Sequence, residues 1–306
     1  TSPFTTPDQA CATGLAAGNT DTALREYLLD KGLTVYTSPA MAGRGQVVDQ
    51  TGFGAFGVCP VTLPENMTVN STGSIDTAGE HLARFLTWLH ADKGVNEVDL
   101  VGHSMGGLYS RAAIRVLVST DSPVRVRSLT TLGTPWQGSY LSDYANGLLP
   151  LSDCLGDEFC ESAMKDMKTE VQRLMAGSGR EVNQAYLMGE NGWNEFQSGV
   201  LDQIPVVLSG GKKFTKQGPV NSAVWPNDGL VALQSALAAD IGDPVLPHRR
   251  CHVFDDTHSI YVSNLADLDW QTALTWDPEV LDAVHAAIEN APGALDGPNR
   301  EGCPAA

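Results

Sequence analysis

Residues 102–106 read Gly-His-Ser-Met-Gly, a G-x-S-x-G pattern that places a serine between two residues without side chains. A serine hydroxyl is a weak nucleophile until a neighbouring base takes its proton and a third group orients that base. The partners of a serine at such a turn follow it in the order acid, then histidine. His81, His90 and His103 precede Ser104 and fail on order. His285 lies within a predicted helix. His248, His252 and His258 remain; His252 sits inside a predicted strand, and His258 follows that strand after Asp255-Asp256-Thr257, so His258 is the expected base and His252 the main rival. The acid is expected in the loop after the strand Ile204–Leu208, where Asp228 stands in the turn Pro226-Asn227-Asp228-Gly229. A carboxylate in such a turn can accept from an imidazole N–H and fix its tautomer. Asp255 and Asp256 are too near His258 in sequence to reach its far nitrogen easily, and Asp202 precedes the strand. By composition alone a chain with 31 glycines matches G-x-S-x-G roughly one time in five, so the surrounding elements decide whether the serine is more than part of an idle turn.

Those elements fit. Val98–Val101 reads as a short apolar strand running into the motif, and Gly107–Val118 reads as a helix running out of it. The turn strains Ser104, and Gly102 and Gly106 are expected to remove side chains that would clash. The helix N-terminus behind the serine offers free N–H groups to a developing oxyanion. Around this centre the periodicity predicts a helix opened by Thr20-Asp21 (Leu24, Tyr27 and Leu28 on one face) and a strand at Leu33–Tyr36. A Gly-rich loop at 43–57 is followed by a helix capped by Ser74 and ended at Gly94, and Val126–Leu132 reads as a strand. From Trp136 to about Gly199 the pattern is longer than a crossover needs. It holds a helix over Glu161–Ala176, with Met164, Met167, Val171 and Leu174 on one face, and reads as an insertion. Strands at Ile204–Leu208 and Cys251–Phe254 and a helix opened by Asp277-Pro278-Glu279 complete the alternation. Strand and helix alternating in this way predicts an α/β protein with a parallel sheet and helices on both faces.

The chain has 306 residues and a net charge of −17, with 19 Lys plus Arg against 36 Asp plus Glu. That surface repels phosphate backbones, so nucleic acid is not an expected partner. No run approaches the ~20 apolar residues of a membrane span. Six cysteines, none in a CxxC pair, suggest disulfides in a secreted, processed chain rather than a zinc site. The expected pairs are Cys154–Cys160 around a short loop, Cys251–Cys303 tying down a Pro/Gly-rich tail, and by elimination Cys11–Cys59, out of fifteen connectivities for six cysteines. Asn66-Met67-Thr68 and Asn70-Ser71-Thr72 match glycosylation sequons, which matter only in a eukaryotic host.

Val101-Gly102-His103-Ser104-Met105-Gly106-Gly107, Leu132-Gly133-Thr134-Pro135-Trp136-Gln137-Gly138-Ser139, Asn227-Asp228-Gly229-Leu230-Val231 and Thr257-His258 together resemble the α/β-hydrolases of the bacterial lipase and esterase kind, over about residues 20–290. The resemblance implies an α/β-hydrolase fold in one domain over 1–306, with a cap or lid insertion at about 136–200. It implies Ser104 as nucleophile, Asp228 as acid, His258 as base and the Met105 backbone N–H as one oxyanion donor. The expected activity is hydrolysis of a small-molecule or lipid ester through an acyl-enzyme, with no metal or organic cofactor, at a lipid–water interface if the insertion is a mobile lid. Oligomeric state is not readable. Three departures stand out. The strand expected before Thr1–Thr6, the segment in which the second oxyanion donor is expected, either lies upstream of this sequence or is replaced by a rebuilt sheet edge; Trp136 replaces the histidine many relatives carry after Gly-Thr-Pro; and Ser259-Ile260-Tyr261 follow His258 where calcium-dependent relatives place an Asp, so no such calcium site is expected. Leu148–Leu151 and the Met-bearing helix fit either an acyl pocket or plain core packing. Rival readings are a polyester hydrolase or acyltransferase on the same three residues, a peptidase, for which no peptide anchor is visible, and a non-catalytic binding protein on this fold.

Overall fold

Short apolar runs closed by polar turns assemble into one parallel sheet, which the computed structural model describes over residues 21–41, 63–174, 178–291, 295 and 300–303. Helix α1 (Thr22–Asp30) precedes β1 (Ala40–Met41), which pairs in parallel with β2 (Val69–Asn70) as a separate two-stranded ribbon. Helix α2 (Ile75–Lys93) leads to β3 (Glu97–His103), α3 (Gly106–Ser119) and β4 (Arg125–Leu132). Between β4 and β5 (Val206–Gly211) come α4 (Tyr140–Ala145), α5 (Glu158–Leu174), α6 (Ser178–Glu181) and α7 (Gln184–Met188). Helix α8 (Leu233–Ala236), β6 (Arg249–Phe254), α9 (Ile260–Leu265), α10 (Pro278–Asn290) and β7 (Arg300–Glu301) follow. Among the described residues the main sheet has the order β3-β4-β5-β6-β7, every pair parallel.

Side chains alternate along β4. Leu129 joins Phe85, Leu89, Leu108 and Ile114 of α2 and α3 on one face, while Leu132 joins Leu24 and Leu28 of α1 and Val280, Val284 and Ile288 of α10 on the other. Helices therefore cover both faces, as a parallel sheet requires. Gly79 lets α2 lie against α3: a Cβ there would stand 2.3 Å from the Ala112 Cβ.

Two expectations are corrected. Leu33–Tyr36 is not a strand. Its alternating side chains divide between the two clusters, Leu33 and Val35 toward one and Tyr36 toward the other, so packing accounts for the pattern without a hydrogen-bonded neighbour. Ser74 stands at the N-cap of α2, yet its side chain does not cap; the Glu181 carboxylate accepts from Ile75 N–H at 2.7 Å instead.

The long β4–β5 connection divides in two. Val182, Leu187, Trp193, Leu201 and Ile204 belong to the main core, and Trp193 donates to Asp76 at 2.8 Å. Arg111 of α3, fully buried, lies with its guanidinium 4.1 Å from the Trp136 ring centre and 4.8 Å from that of Trp193, and none of its three nitrogens has a hydrogen-bond partner among the described residues. Burial, with the charge of Arg115, pulls its pKa down to about 9. The earlier part (Tyr140, Leu141, Cys154, Cys160 and Met164) forms its own cluster with Val224 and Trp225. Met164 is fully buried there and Met167 packs against it, so these members of the methionine stripe serve as core. Disulfides join Cys154 to Cys160 and Cys251 to Cys303. The Cys11–Cys59 pair, the 43–57 loop and the Thr1–Thr6 donor segment lie outside the described residues. Among the described residues no helix is long and apolar enough to cross a membrane.

Candidate active site

The ladder between β3 and β4 ends at His103↔Leu132, and the next residue, Ser104, donates its N–H to Leu132 O at 2.9 Å. Ser104 has φ +55, a left-handed conformation that non-glycine residues rarely hold. α3 begins two residues later, with Met105 at its N-cap. Close packing maintains the turn. A Cβ at Gly102 would come within 2.5 Å of Gly107 N, and one at Gly107 within 2.3 Å of Thr134 Oγ1. A Cβ at Gly106 would meet nothing within 4 Å, so the squeezed pair is Gly102 and Gly107 rather than Gly102 and Gly106. The Thr134 hydroxyl donates to Ser104 O at 2.7 Å, pinning the turn to the segment after β4.

Asp228 and His258 meet beside this turn. His258 Nδ1 lies 2.7 Å from Asp228 Oδ2, with both residues buried. The other carboxylate oxygen, Oδ1, accepts from Leu230 N and Val231 N at 2.9 and 2.8 Å, so the turn read from Asn-Asp-Gly holds the carboxylate by its own backbone. Asn227 braces the turn by donating to Val224 O and accepting from Gly229 N. Tyr140 and Ser139 donate to Gly229 O and Leu230 O at 2.7 and 2.6 Å, fastening α4 over the acid turn. His258 N–H donates to Asp228 O at 2.7 Å. Its Nε2 is buried and has no hydrogen-bond partner among the described residues, so Ser104 Oγ is not bonded to it. A buried ring nitrogen without a partner invites a functional account, and catalytic hydrogen bonds are often long until substrate binds.

The remaining candidates are placed elsewhere. His252 is exposed on β6, next to Phe254. His285 packs edge-on near Tyr27. Asp255 is exposed and pairs with Lys213, and Asp202 is exposed. Asp256, two residues before His258, is buried; that burial, and then the adjoining Asp277 carboxyl to which it is hydrogen-bonded, push it up to about 8.

A cavity of about 810 Å³ reaches Ser104 and Met105 at one end and runs past Val98 and Leu100 toward Leu24, Leu86 and Leu89. It includes neither His258 nor Asp228, and β3 is the outer strand of the described sheet. It lies along β3 and is not a cleft over the His–Asp pair.

His103 is the residue that order-based reasoning set aside. Its Nε2 lies 2.8 Å from the His258 carbonyl oxygen, and the two rings sit 4.7 Å apart. Its position beside the serine was the available signal.

The PGAP1-like alpha/beta domain model matches residues 80–236. A triacylglycerol lipase of Pseudarthrobacter phenanthrenivorans is 39% identical over 71 residues, 23% of this chain and 21% of that one. The aligned segment thus spans about a fifth of the length of that curated relative. Among solved structures, a Listeria innocua gene product covers 91% of both chains at 15% identity and a TM-score of 0.48. A Bacillus licheniformis lipase in its propeptide form covers 77% of this chain and 43% of its own at 19% identity and 0.43.

Proposed function

The chain belongs to the PGAP1-like alpha/beta domain family, and on that premise we propose that it is a serine carboxylic-ester hydrolase acting on lipid or other apolar acyl esters. The observation that carries the reading is the strained Ser104 turn set beside a buried His258–Asp228 pair whose Nε2 has no partner among the described residues. The similarity to a triacylglycerol lipase supports the choice of ester.

In this reading His258 Nε2 takes the Ser104 proton as Oγ attacks the ester carbonyl carbon. Asp228, holding Nδ1–H, stabilises the imidazolium that forms. The Met105 N–H, at the head of α3, faces the oxyanion. The protonated His258 then gives its proton to the departing alkoxide, leaving an acyl-Ser104 ester. Water, deprotonated by the same nitrogen, attacks that ester, and the acid leaves with Ser104 restored.

The segment at about 136–200 acts as the cap of a single α/β-hydrolase domain. Its later part packs against α2 and α3, and α4 is fastened over the turn that carries Asp228. The two disulfides suit a secreted protein.

The test is Ser104→Ala against a p-nitrophenyl ester, with fluorophosphonate labelling of the wild type. The variant is expected to lose turnover and the wild type to label at Ser104; retained turnover removes this serine from the chemistry. An acyl chain-length and polyester panel separates lipase, esterase and polyester hydrolase.

A further inference from the structure

We propose that His103 is a positioning residue: as a neutral imidazole it donates Nε2–H to the His258 carbonyl and so sets where the base stands relative to the serine next door. This rests on the function proposed above and assigns a part to a residue that takes no proton in it.

The His258 peptide is held from two sides. Its N–H donates to Asp228 O at 2.7 Å, from the acid turn, and its carbonyl accepts from His103 at 2.8 Å, from the end of β3. The first bond repeats a tie the two side chains already make through Nδ1 and Oδ2. The second joins the base loop to the strand that carries Ser104. His103 and Ser104 are adjacent, so the hydrogen bond fixes the base loop one residue away from the nucleophile. The backbone on that side is rigid, since Ser104 N bonds to Leu132 O and Thr134 holds Ser104 O.

The protonation state suits this work. A carbonyl oxygen can only accept, so Nε2 of His103 must carry the hydrogen. Burial, and then the neighbouring His258, lower the His103 pKa to about 3. The ring is therefore neutral at ordinary pH, and adds no charge beside the His258 ring 4.7 Å away. A misplacement of about 1 Å at a reacting group can cost about 100-fold in rate, so a single tether of this kind is sufficient to matter.

The test compares His103→Phe, which keeps a ring of similar size but has no donor, with His103→Gln, whose amide N–H can reach the same carbonyl. Both are assayed for kcat and KM on a soluble p-nitrophenyl ester, for fluorophosphonate labelling rate, and for thermal midpoint. His103→Phe is expected to lose about 10- to 100-fold in kcat and in labelling rate, with KM within about threefold and the fold intact. His103→Gln is expected to recover most of that loss. Equal rates in His103→Phe and wild type, equal losses in the two variants, or a loss confined to KM overturns the inference. If the wild type itself neither labels nor turns over ester, it is the ester-hydrolase reading that fails, and that result is distinguishable because it precedes any comparison of variants. Should His103→Phe not fold, His103→Leu against His103→Gln gives the same comparison.

Discussion

A single methyl group at residue 133 should uncouple the base from its acid. Gly133 follows β4 with φ +57, and a Cβ built on it would stand 2.9 Å from both Asp228 Oδ2 and His258 Nδ1, the two atoms that share the 2.7 Å hydrogen bond. Gly133→Ala therefore has two separable effects. The left-handed backbone costs about 1–2 kcal/mol of stability in any non-glycine residue. The methyl also displaces one member of a buried, charge-assisted hydrogen bond worth about 1.5–3 kcal/mol. At about 1.36 kcal/mol per tenfold in rate, that is a fall in kcat/KM of about 10- to 150-fold. Gly147, just beyond α4, is the control: its φ is +77 and a Cβ there would meet nothing within 4 Å. Gly147→Ala should show only the backbone part of that loss of stability in urea, and unchanged kinetics. The assay is steady-state ester hydrolysis at a temperature where both variants are fully folded. If Gly133→Ala loses no more kcat/KM than Gly147→Ala, the geometry assigned to the His–Asp pair is wrong.

Two further predictions concern stability. Asp256 is raised to about 8 by burial and by Asp277, so the folded state binds its proton more tightly than the unfolded chain does. That contribution is complete below the ordinary carboxylate range and is lost as pH climbs through about 8. Asp256→Asn, a permanently neutral stand-in, should flatten the fall in urea midpoint between about pH 4 and about pH 8; an unchanged slope would show that another group governs it. Cys303→Ser opens a crosslink spanning 52 residues of sequence and should cost about 4 kcal/mol on the chain-entropy account, read as a lowered thermal midpoint, whereas an unaltered midpoint would mean that the tail contributes nothing to the sheet edge.

What could be read from the residues was whatever is local. The G-x-S-x-G turn between an apolar run and a helix, the Asn-Asp-Gly turn, the Asp-Pro-Glu start of α10 and the stop at Gly94 each depend on a few neighbouring residues, and each stands as expected. What could not be read depends on partners distant in sequence. Leu33–Tyr36 has a strand's alternation, but a ladder needs a neighbour that the pattern does not name. Glu181 caps α2 from 106 residues away, a contact that no reading of Ser74 reveals. The pattern singles out Gly106, and only the approach of Thr134 shows that Gly107 is the squeezed one. His103 failed the order rule because that rule asks which imidazole takes a proton, not which one holds another in place.

The sandwich of Arg111 between Trp136 and Trp193 has a bearing on the medium in which this protein can work. Carboxylate pairs on an acidic surface fade as dissolved ions accumulate, since screening reaches within about 8 Å at physiological strength. A fully buried guanidinium lying against two indole rings is out of reach of those ions. The clasp joining the helix behind Ser104 to the chain around Trp193 should grip equally in brine and in dilute water.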